Sequence, residues 1–120
     1  MSKTILIVED FEDARVMMKF LLEDLGYQVT EAENGWKAVE SVKKQVPDLI
    51  LMDMALPQTD GLSATKIIRK FKETAEIPII AFTASGDFIY EQAMQAGCNA
   101  LLMKPLDTDK LQSMLKQYLG

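Results

Sequence analysis

Residues 49–61 read Leu-Ile-Leu-Met-Asp-Met-Ala-Leu-Pro-Gln-Thr-Asp-Gly, and this stretch decides the fold. It opens with four apolar residues, which are typical of a strand buried on both faces of a parallel sheet. The run ends on the carboxylate of Asp53, and Pro57 and Asp60-Gly61 then supply turn residues before a helical pattern begins. Because ligands bind at the carboxyl ends of strands in an open α/β sheet, Asp53 is expected at a crevice. Taken alone, such an acid more often only solvates a strand end.

Short apolar runs alternate with helical patterns on both sides of this stretch. Glycines at 26 and 97 are expected to end the first and fourth helices. The alternation implies right-handed crossovers and an α/β fold with an all-parallel sheet covered on both faces. The expected strands are residues 5–8, 27–32, 49–52, 78–82 and 100–103, and the expected helices are about 11–25, 36–46, 62–72, 87–96, with Asp87 as cap, and 108–119.

Composition bounds the possible functions. The 120 residues are 48% hydrophobic and 26% charged, as in an ordinary globular domain. A net charge of −5 argues against binding the phosphate backbone of nucleic acid. The absence of histidine excludes His-based triads and zinc sites, and the lone Cys98 excludes an intramolecular disulfide. We expect one cytoplasmic domain over residues 1–120, without signal peptide, membrane span or direct nucleic-acid binding.

Reactive side chains follow four of the five expected strands: Glu9 and Asp10, Asp53, Thr83, and Lys104. Parallel strands end at one edge of a sheet, so topology alone should gather these groups. Three carboxylates with one lysine leave a net negative pocket that suits Mg²⁺. Each residue has an ordinary explanation by itself: acids at a helix N-terminus, a helix-capping threonine, a surface lysine. Four such coincidences at one edge are much less expected than one.

The combined pattern resembles a response-regulator receiver domain. The resemblance rests on the acidic pair after strand one, Asp-x-x-x-Pro-x-x-Asp-Gly around Asp53, Thr83-Ala84 after strand four, and Lys104-Pro105 after strand five. It covers essentially the whole chain. It implies a flavodoxin-like (βα)5 three-layer sandwich with strand order 2-1-3-4-5.

The resemblance also implies a signalling function that is not enzymatic beyond weak self-phosphorylation and autodephosphorylation. Asp53 would accept a phosphoryl group from a histidine kinase, a histidine phosphotransfer protein or a small phosphodonor. Mg²⁺, or Mn²⁺ in its place, would be bound by Asp10, Asp53 and the backbone carbonyl of Ala55, with Glu9 acting through water.

Further residue roles follow from the same resemblance. Lys104 would pair with the phosphoryl oxygens, Thr83 would hydrogen-bond one of them, and the Lys104-Pro105 peptide would be cis. Thr83 and the position of Leu101 would form the switch between inactive and active states. That second position is usually aromatic in the family, and the consequence of a leucine there stays open.

Three rival functions remain to be weighed. A haloacid-dehalogenase-like phosphohydrolase would also use Mg²⁺ and an Asp nucleophile, but it needs a second Asp two residues later, where this chain has Ala55. A flavodoxin-like electron carrier needs a phosphate loop after strand one, where Glu9 and Asp10 would repel phosphate. A receiver that only scaffolds partners would lack one of the key residues, and all are present.

Four apolar residues carry smaller expectations. Val16 and Phe20 point away from the core face of the first helix, on which Phe11 is placed. They are interpreted mainly as isolated exposed residues, with a kinase-docking patch as the alternative. Trp36 is expected to be a partly buried packing residue, and Cys98 a small buried hydrophobe.

Overall fold

The computed structural model describes residues 2–55, 60–84 and 86–120 of the chain. Within these ranges, five strands alternate with five helices. The strands are β1 (Thr4–Val8), β2 (Gln28–Ala32), β3 (Leu49–Asp53), β4 (Ile79–Thr83) and β5 (Ala100–Met103). The helices are α1 (Glu12–Asp24), α2 (Gly35–Lys44), α3 (Gly61–Lys70), α4 (Gly86–Ala96) and α5 (Thr108–Leu119), with a 3₁₀ turn at Lys72–Thr74.

The strands form one sheet in the order β2-β1-β3-β4-β5, and every neighbouring pair is parallel. This confirms the predicted flavodoxin-like order. Every residue of β1, β3 and β4 is buried, because helices cover both faces of the sheet. The continuous apolar runs in the sequence follow from this double coverage.

Two apolar layers fill the space between the sheet and the helices. Ile50 and Met52 belong to the layer beneath α2, α3 and α4, whereas Leu49 and Leu51 belong to the layer beneath α1 and α5. Successive strand residues point to opposite faces, so one strand supplies both layers. Each fully buried side chain of this kind contributes about 1.5–3 kcal/mol to folding.

Helix ends are defined by local hydrogen bonds and by glycine. Asn34 caps α2 by accepting a hydrogen bond from the backbone N of Lys37 at 2.8 Å. Gly26 and Gly97 have positive φ angles at the ends of α1 and α4, as predicted. At Gly61, a Cβ atom would lie 2.2 Å from the backbone oxygen of Asp53. The Asp-Gly pair therefore lets the start of α3 approach the end of β3.

Several expectations are corrected. Phe11 precedes α1 and is 62% exposed, so it does not belong to the helix core face. Trp36 is 56% exposed rather than packed. Helix α3 ends at Lys70, two residues early, because the chain tightens into the 3₁₀ turn. The predicted turn at Pro57 and the predicted capping side chain of Asp87 lie outside the residues and side chains that the structure describes.

Cys98 is buried and Phe20 is exposed on α1, as expected. Val16 was also expected to be exposed, but it is half-buried. Among helices in the described ranges, none has the length and apolar character that a membrane span requires.

Candidate functional site

The side chains that follow β1, β3 and β5 meet at the carboxyl edge of the sheet. The ammonium of Lys104 lies 3.1 Å from Oε1 of Glu9 and 3.0 Å from Oδ2 of Asp53. Both acids are almost fully buried, at 2% and 1% exposure. One lysine thus bridges two buried carboxylates that come from neighbouring parallel strands.

Lys104 reaches these acids by crossing β4, which lies between β3 and β5. Its ammonium lies 5.1 Å from the centroid of the Phe82 ring, within the range of a cation–π contact. Burial disfavours the charged form, but the hydrogen bonds to Asp53 and Glu9 outweigh it and raise the pKa of Lys104. The lysine is therefore a fixed cation at neutral pH.

The carboxylate of Asp53 is oriented at both oxygens. Its Oδ1 accepts a hydrogen bond from the backbone N of Ala55 at 2.9 Å, and its Oδ2 accepts one from Lys104. The first bond is a local turn of the kind that Asp side chains make two residues ahead. The second partner comes from a strand far away in the sequence. Together the two bonds hold the carboxylate in one orientation.

Glu9 is held at all four of its polar positions. Its backbone N donates to the oxygen of Ala32 at 3.1 Å, and its Oε2 accepts from the backbone N of Phe11 at 3.0 Å. Its Oε1 accepts from Lys104, and its backbone oxygen accepts from Nη1 of Arg15 at 2.9 Å. These four hydrogen bonds hold the turn between β1 and α1 in one conformation.

Asp10 completes an acidic group at this edge. One carboxylate oxygen each from Glu9, Asp10 and Asp53 lie within 4.8 Å of one another. Asp10 is exposed, and desolvation together with the adjacent Glu9 raises its pKa. Three acids against one lysine leave surplus negative charge, and carboxylate oxygens are the ligands that Mg²⁺ prefers. The residues present therefore fit a hard divalent cation.

The remaining predicted site residues lie nearby. Thr83 is buried at the end of β4, and its backbone oxygen accepts a hydrogen bond from the N of Lys104 at 2.9 Å. The Lys104–Pro105 peptide bond is cis. Leu101 pairs in register with Ala81 and packs, half-buried, against the apolar layer beneath α2, α3 and α4. Leu101 thus lies among apolar side chains on one face of the sheet.

A cavity of about 740 Å³ opens beside the acidic group. Its floor includes Asp53 and Lys104, and Phe11 and Met17 on its wall are 62% and 72% exposed. Much of this surface is apolar, and it lies beside the charged side chains of Asp53 and Lys104. We call it the α1 groove, and its apolar wall comprises Phe11, Ala14, Met17, Leu21, Pro105 and Leu106.

Sequence reasoning missed three parts of this site: Arg15, Phe82 and the α1 groove. An arginine on a helix gives no signal of a bond to a distant backbone oxygen. Phe82 is an ordinary core residue until Lys104 crosses it. Met17 could have been found, since it is next to Val16 and three residues from Phe20, which did attract attention as exposed apolar residues.

Comparisons with known proteins agree with this geometry. The family description of the response regulator receiver domain matches residues 5–116. The polar-differentiation response regulator DivK of Brucella anthropi is 38% identical over 123 residues, covering 100% of this chain and 98% of that protein. DivK of Brucella ovis is 37% identical with the same coverage.

Solved structures give the same result. The receiver domain of the sensor histidine kinase PA1611 from Pseudomonas aeruginosa, which holds a magnesium ion in its active site cleft, is 40% identical with a TM-score of 0.93. The superposition covers 100% of this chain and 99% of that one. A putative response regulator from Chloroflexus aurantiacus is 32% identical with a TM-score of 0.93, covering 99% and 98% of the two chains.

Proposed function

The chain belongs to the response regulator receiver family, and we propose that Asp53 is the side chain on which it accepts a phosphoryl group. Receivers are phosphoacceptor signalling domains of two-component systems rather than enzymes with a substrate of their own. Membership therefore removes the dehalogenase-like and electron-carrier alternatives. The observation that carries the assignment is the buried Asp53 carboxylate, bonded to Lys104 and grouped with Glu9 and Asp10.

The proposed transfer needs an ionised acceptor and little else from the chain. A carboxylate oxygen of Asp53 attacks the phosphorus of a phosphohistidine. The O–P bond forms while the P–N bond breaks, and the bonding electrons stay on the imidazole nitrogen. No general base is needed, because the attacking oxygen of a carboxylate carries no proton, and Lys104 and the backbone N of Ala55 hold the Asp53 side chain in place.

Charge on the phosphoryl oxygens is the main obstacle to this transfer. We assign Lys104 to pair with one of these oxygens and the hydroxyl of Thr83 to another. Glu9, Asp10, Asp53 and the carbonyl of Ala55 would hold Mg²⁺, or Mn²⁺ in its place. When bound, the cation supplies positive charge against the same oxygens.

A change of state would follow from this placement. Thr83 ends β4 and contacts the backbone of Lys104, while Leu101 lies on β5 against the same apolar layer as α4. We assign Thr83 and Leu101 to the switch that transmits phosphorylation to the surface around α4. A ligand shifts such an equilibrium only by its different affinity for the two states.

A histidine kinase is the partner that a receiver implies, and a histidine phosphotransfer protein can take the same place. The partner must bring its phosphohistidine to Asp53, so its docking surface has to border the acceptor. The α1 groove does so, with Phe11 and Met17 exposed on its wall. Apolar residues of this kind are suited to pack against a helical partner.

Intact mass after incubation with acetyl phosphate and Mg²⁺ tests the acceptor. The wild type should gain the mass of one phosphoryl group, and Asp53→Asn should gain none. Asp60→Asn is the matched control, because it changes an exposed acid that caps α3 at the backbone N of Ser63 and an asparagine can also cap. Stable labelling of Asp53→Asn at the wild-type rate would show that the acceptor is another residue.

A further inference from the structure

Arg15 connects the ends of two strands at the acidic edge. It lies on α1 with 14% of its side chain exposed. Its Nη1 donates to the backbone oxygen of Glu9 at 2.9 Å, and its Nε donates to Oε1 of Glu31 at 3.2 Å. Glu9 follows β1, and Glu31 belongs to β2. The site residues described above come from the ends of β1, β3, β4 and β5, and Glu31 of β2 is not among them.

Glu31 holds the guanidinium from the far side. Its other carboxylate oxygen lies 3.5 Å from the ammonium of Lys19, so Glu31 is itself held between two cations of α1. The guanidinium is planar, and two of its N–H groups are bonded to Glu9, just after β1, and to Glu31 in β2. Its orientation toward Glu9 is therefore fixed by the fold rather than by chance contact.

The bond to Glu9 acts on Asp10 through the peptide group. The carbonyl oxygen of Glu9 and the backbone N of Asp10 belong to one planar unit. A hydrogen bond that holds this oxygen in place therefore fixes the orientation of the Glu9–Asp10 peptide plane, and with it the position of the Asp10 backbone. The side chain of Asp10 is exposed, so its approach to Glu9 and Asp53 depends on its backbone more than on packing.

We infer that Arg15, oriented by Glu31, is a positioning residue that aims the carboxylates of Glu9 and Asp10 at the cation site. The inference rests on the proposed function, since it assumes that this acidic group binds a divalent cation. Arg15 itself touches neither the cation nor the acceptor. It acts through the peptide that joins the two acids.

If Arg15 acted only through its charge, removing it would strengthen cation binding, whereas the loss of a positioning residue should weaken it. A guanidinium bonded to the backbone of Glu9 repels a divalent cation at the adjacent acidic group, so its neutralisation should tighten binding if charge alone mattered. If position matters more, neutralisation should weaken binding. The sign of the change therefore separates the two explanations without any reference to phosphorylation rate.

The test is the dissociation constant of Mg²⁺, measured by titration calorimetry, with Mn²⁺ binding followed by electron paramagnetic resonance as a second probe. Arg15→Gln should weaken binding about tenfold, the lower end of the range for residues that orient metal ligands. Arg15→Lys keeps the charge but cannot bond both Glu9 and Glu31, so it should fall between. Lys116→Gln is the control, since it removes an exposed positive charge in the last turn of α5, away from Glu9 and Glu31, and it should bind as well as wild type.

Glu31→Gln extends the test to the residue that orients Arg15. It should weaken binding more than Glu33→Gln, which removes an exposed charge two residues away that pairs with Lys37. Far-ultraviolet circular dichroism without metal checks that each variant is folded. If Arg15→Gln does not fold, the Mg²⁺ dissociation constant of Arg15→Lys tests the inference instead. Unchanged or tighter binding by both Arg15 variants would overturn the inference. A wild type that binds neither cation would overturn the proposed function as well.

Discussion

The two edges of the sheet each carry a half-buried cation, and the two cations have different partners. At the carboxyl edge, Lys104 lies between the carboxylates of Glu9 and Asp53. At the amino edge, Arg69 donates to the backbone oxygens of Gly97 at 2.9 Å and Thr74 at 2.8 Å. Its third nitrogen donates to the side chain of Asn99 at 2.8 Å.

Charge balance distinguishes these edges. The carboxyl edge keeps surplus negative charge, because Asp10 joins the two acids that share Lys104. The acceptors of Arg69 are all neutral, and burial lowers the pKa of this arginine without removing its charge. A polar cluster whose donors and acceptors satisfy one another holds the structure together. A cluster with surplus charge is where a ligand is needed.

The amino edge is built for attachment. Arg69 lies near the end of α3, and its partners follow α4 and precede β4 and β5. The oxygen of Asn99 that it contacts also accepts a hydrogen bond from the N of Ile79 at 2.9 Å. At Gly97, φ is +120°, a backbone conformation that favours glycine. A Cβ atom there would also lie 2.7 Å from Cγ of Arg69, so a larger residue would clash with the arginine. One guanidinium thus joins two helices and two strands.

Matched substitutions at the two edges should have the largest and most different effects on phosphorylation. Lys104→Met should slow labelling by acetyl phosphate at least about a hundredfold, because it removes the charge that we propose pairs with the phosphoryl oxygens. Arg69→Met should leave the rate per folded molecule within about twofold, since its neighbours are far from the acceptor. Time-resolved intact mass measures both rates. Equal slowing in the two variants would mean that the edges are not functionally distinct.

Arg69→Met, which should hardly change the phosphorylation rate, should have a large effect on the stability of the fold. Arg69→Met should lower the free energy of unfolding by about 2–4 kcal/mol, because it leaves the oxygens of Gly97 and Thr74 without their charged donor. Urea denaturation followed by circular dichroism measures the loss. The control is Lys70→Met, which changes the exposed neighbour of Arg69 and should cost less than about 0.5 kcal/mol. A loss no larger than that of the control would show that the Arg69 bonds are not stabilising.

The two edges also differ in how much of them the sequence predicts. Glu9, Asp53 and Lys104 were predictable because each directly follows an apolar strand run, and parallel topology brings such positions together. The receiver resemblance then supplied their roles. Arg69 and Arg15 were not predictable, because their main partners are backbone oxygens, which every residue possesses. The side-chain direction of a helical arginine depends on tertiary packing that no local pattern records.

Helix bounds show the same limit on a smaller scale. The bounds of α5 agree with the prediction, where Asp107 caps the helix through the backbone N of Asp109 and Lys110. Phe11 and Trp36 were expected to pack and are exposed instead. Their apolar character was read correctly, but burial depends on which neighbouring element covers a residue. For Phe11, the uncovered position belongs to the α1 groove beside the acceptor.

The smallest expected effect concerns Cys98, a titratable group at the amino edge. Its thiol is buried, and this burial raises its pKa above the ordinary 9.0, although a contact with Thr65 and the charge of Arg69 act in the opposite direction. The folded state therefore keeps the thiol proton at a pH where the unfolded chain begins to lose it. The stability associated with the neutral thiol is complete below pH 9 and declines as the pH rises through the folded-state pKa.

Comparison with Cys98→Ala isolates the contribution of the Cys98 thiol to the pH dependence of stability, because tyrosine and lysine titrations affect both proteins equally. We expect the stability advantage of wild type over Cys98→Ala to shrink between pH 8 and pH 10 in urea denaturation, because the folded state holds the thiol proton more tightly than the unfolded chain does. Mg²⁺ should not change this difference, because the acidic group lies at the opposite edge of the sheet. A difference that stays constant with pH would mean that the thiol titrates normally and that water reaches it. The amino edge would then be a hydrated surface, and its contrast with the carboxyl edge would rest on Arg69 alone.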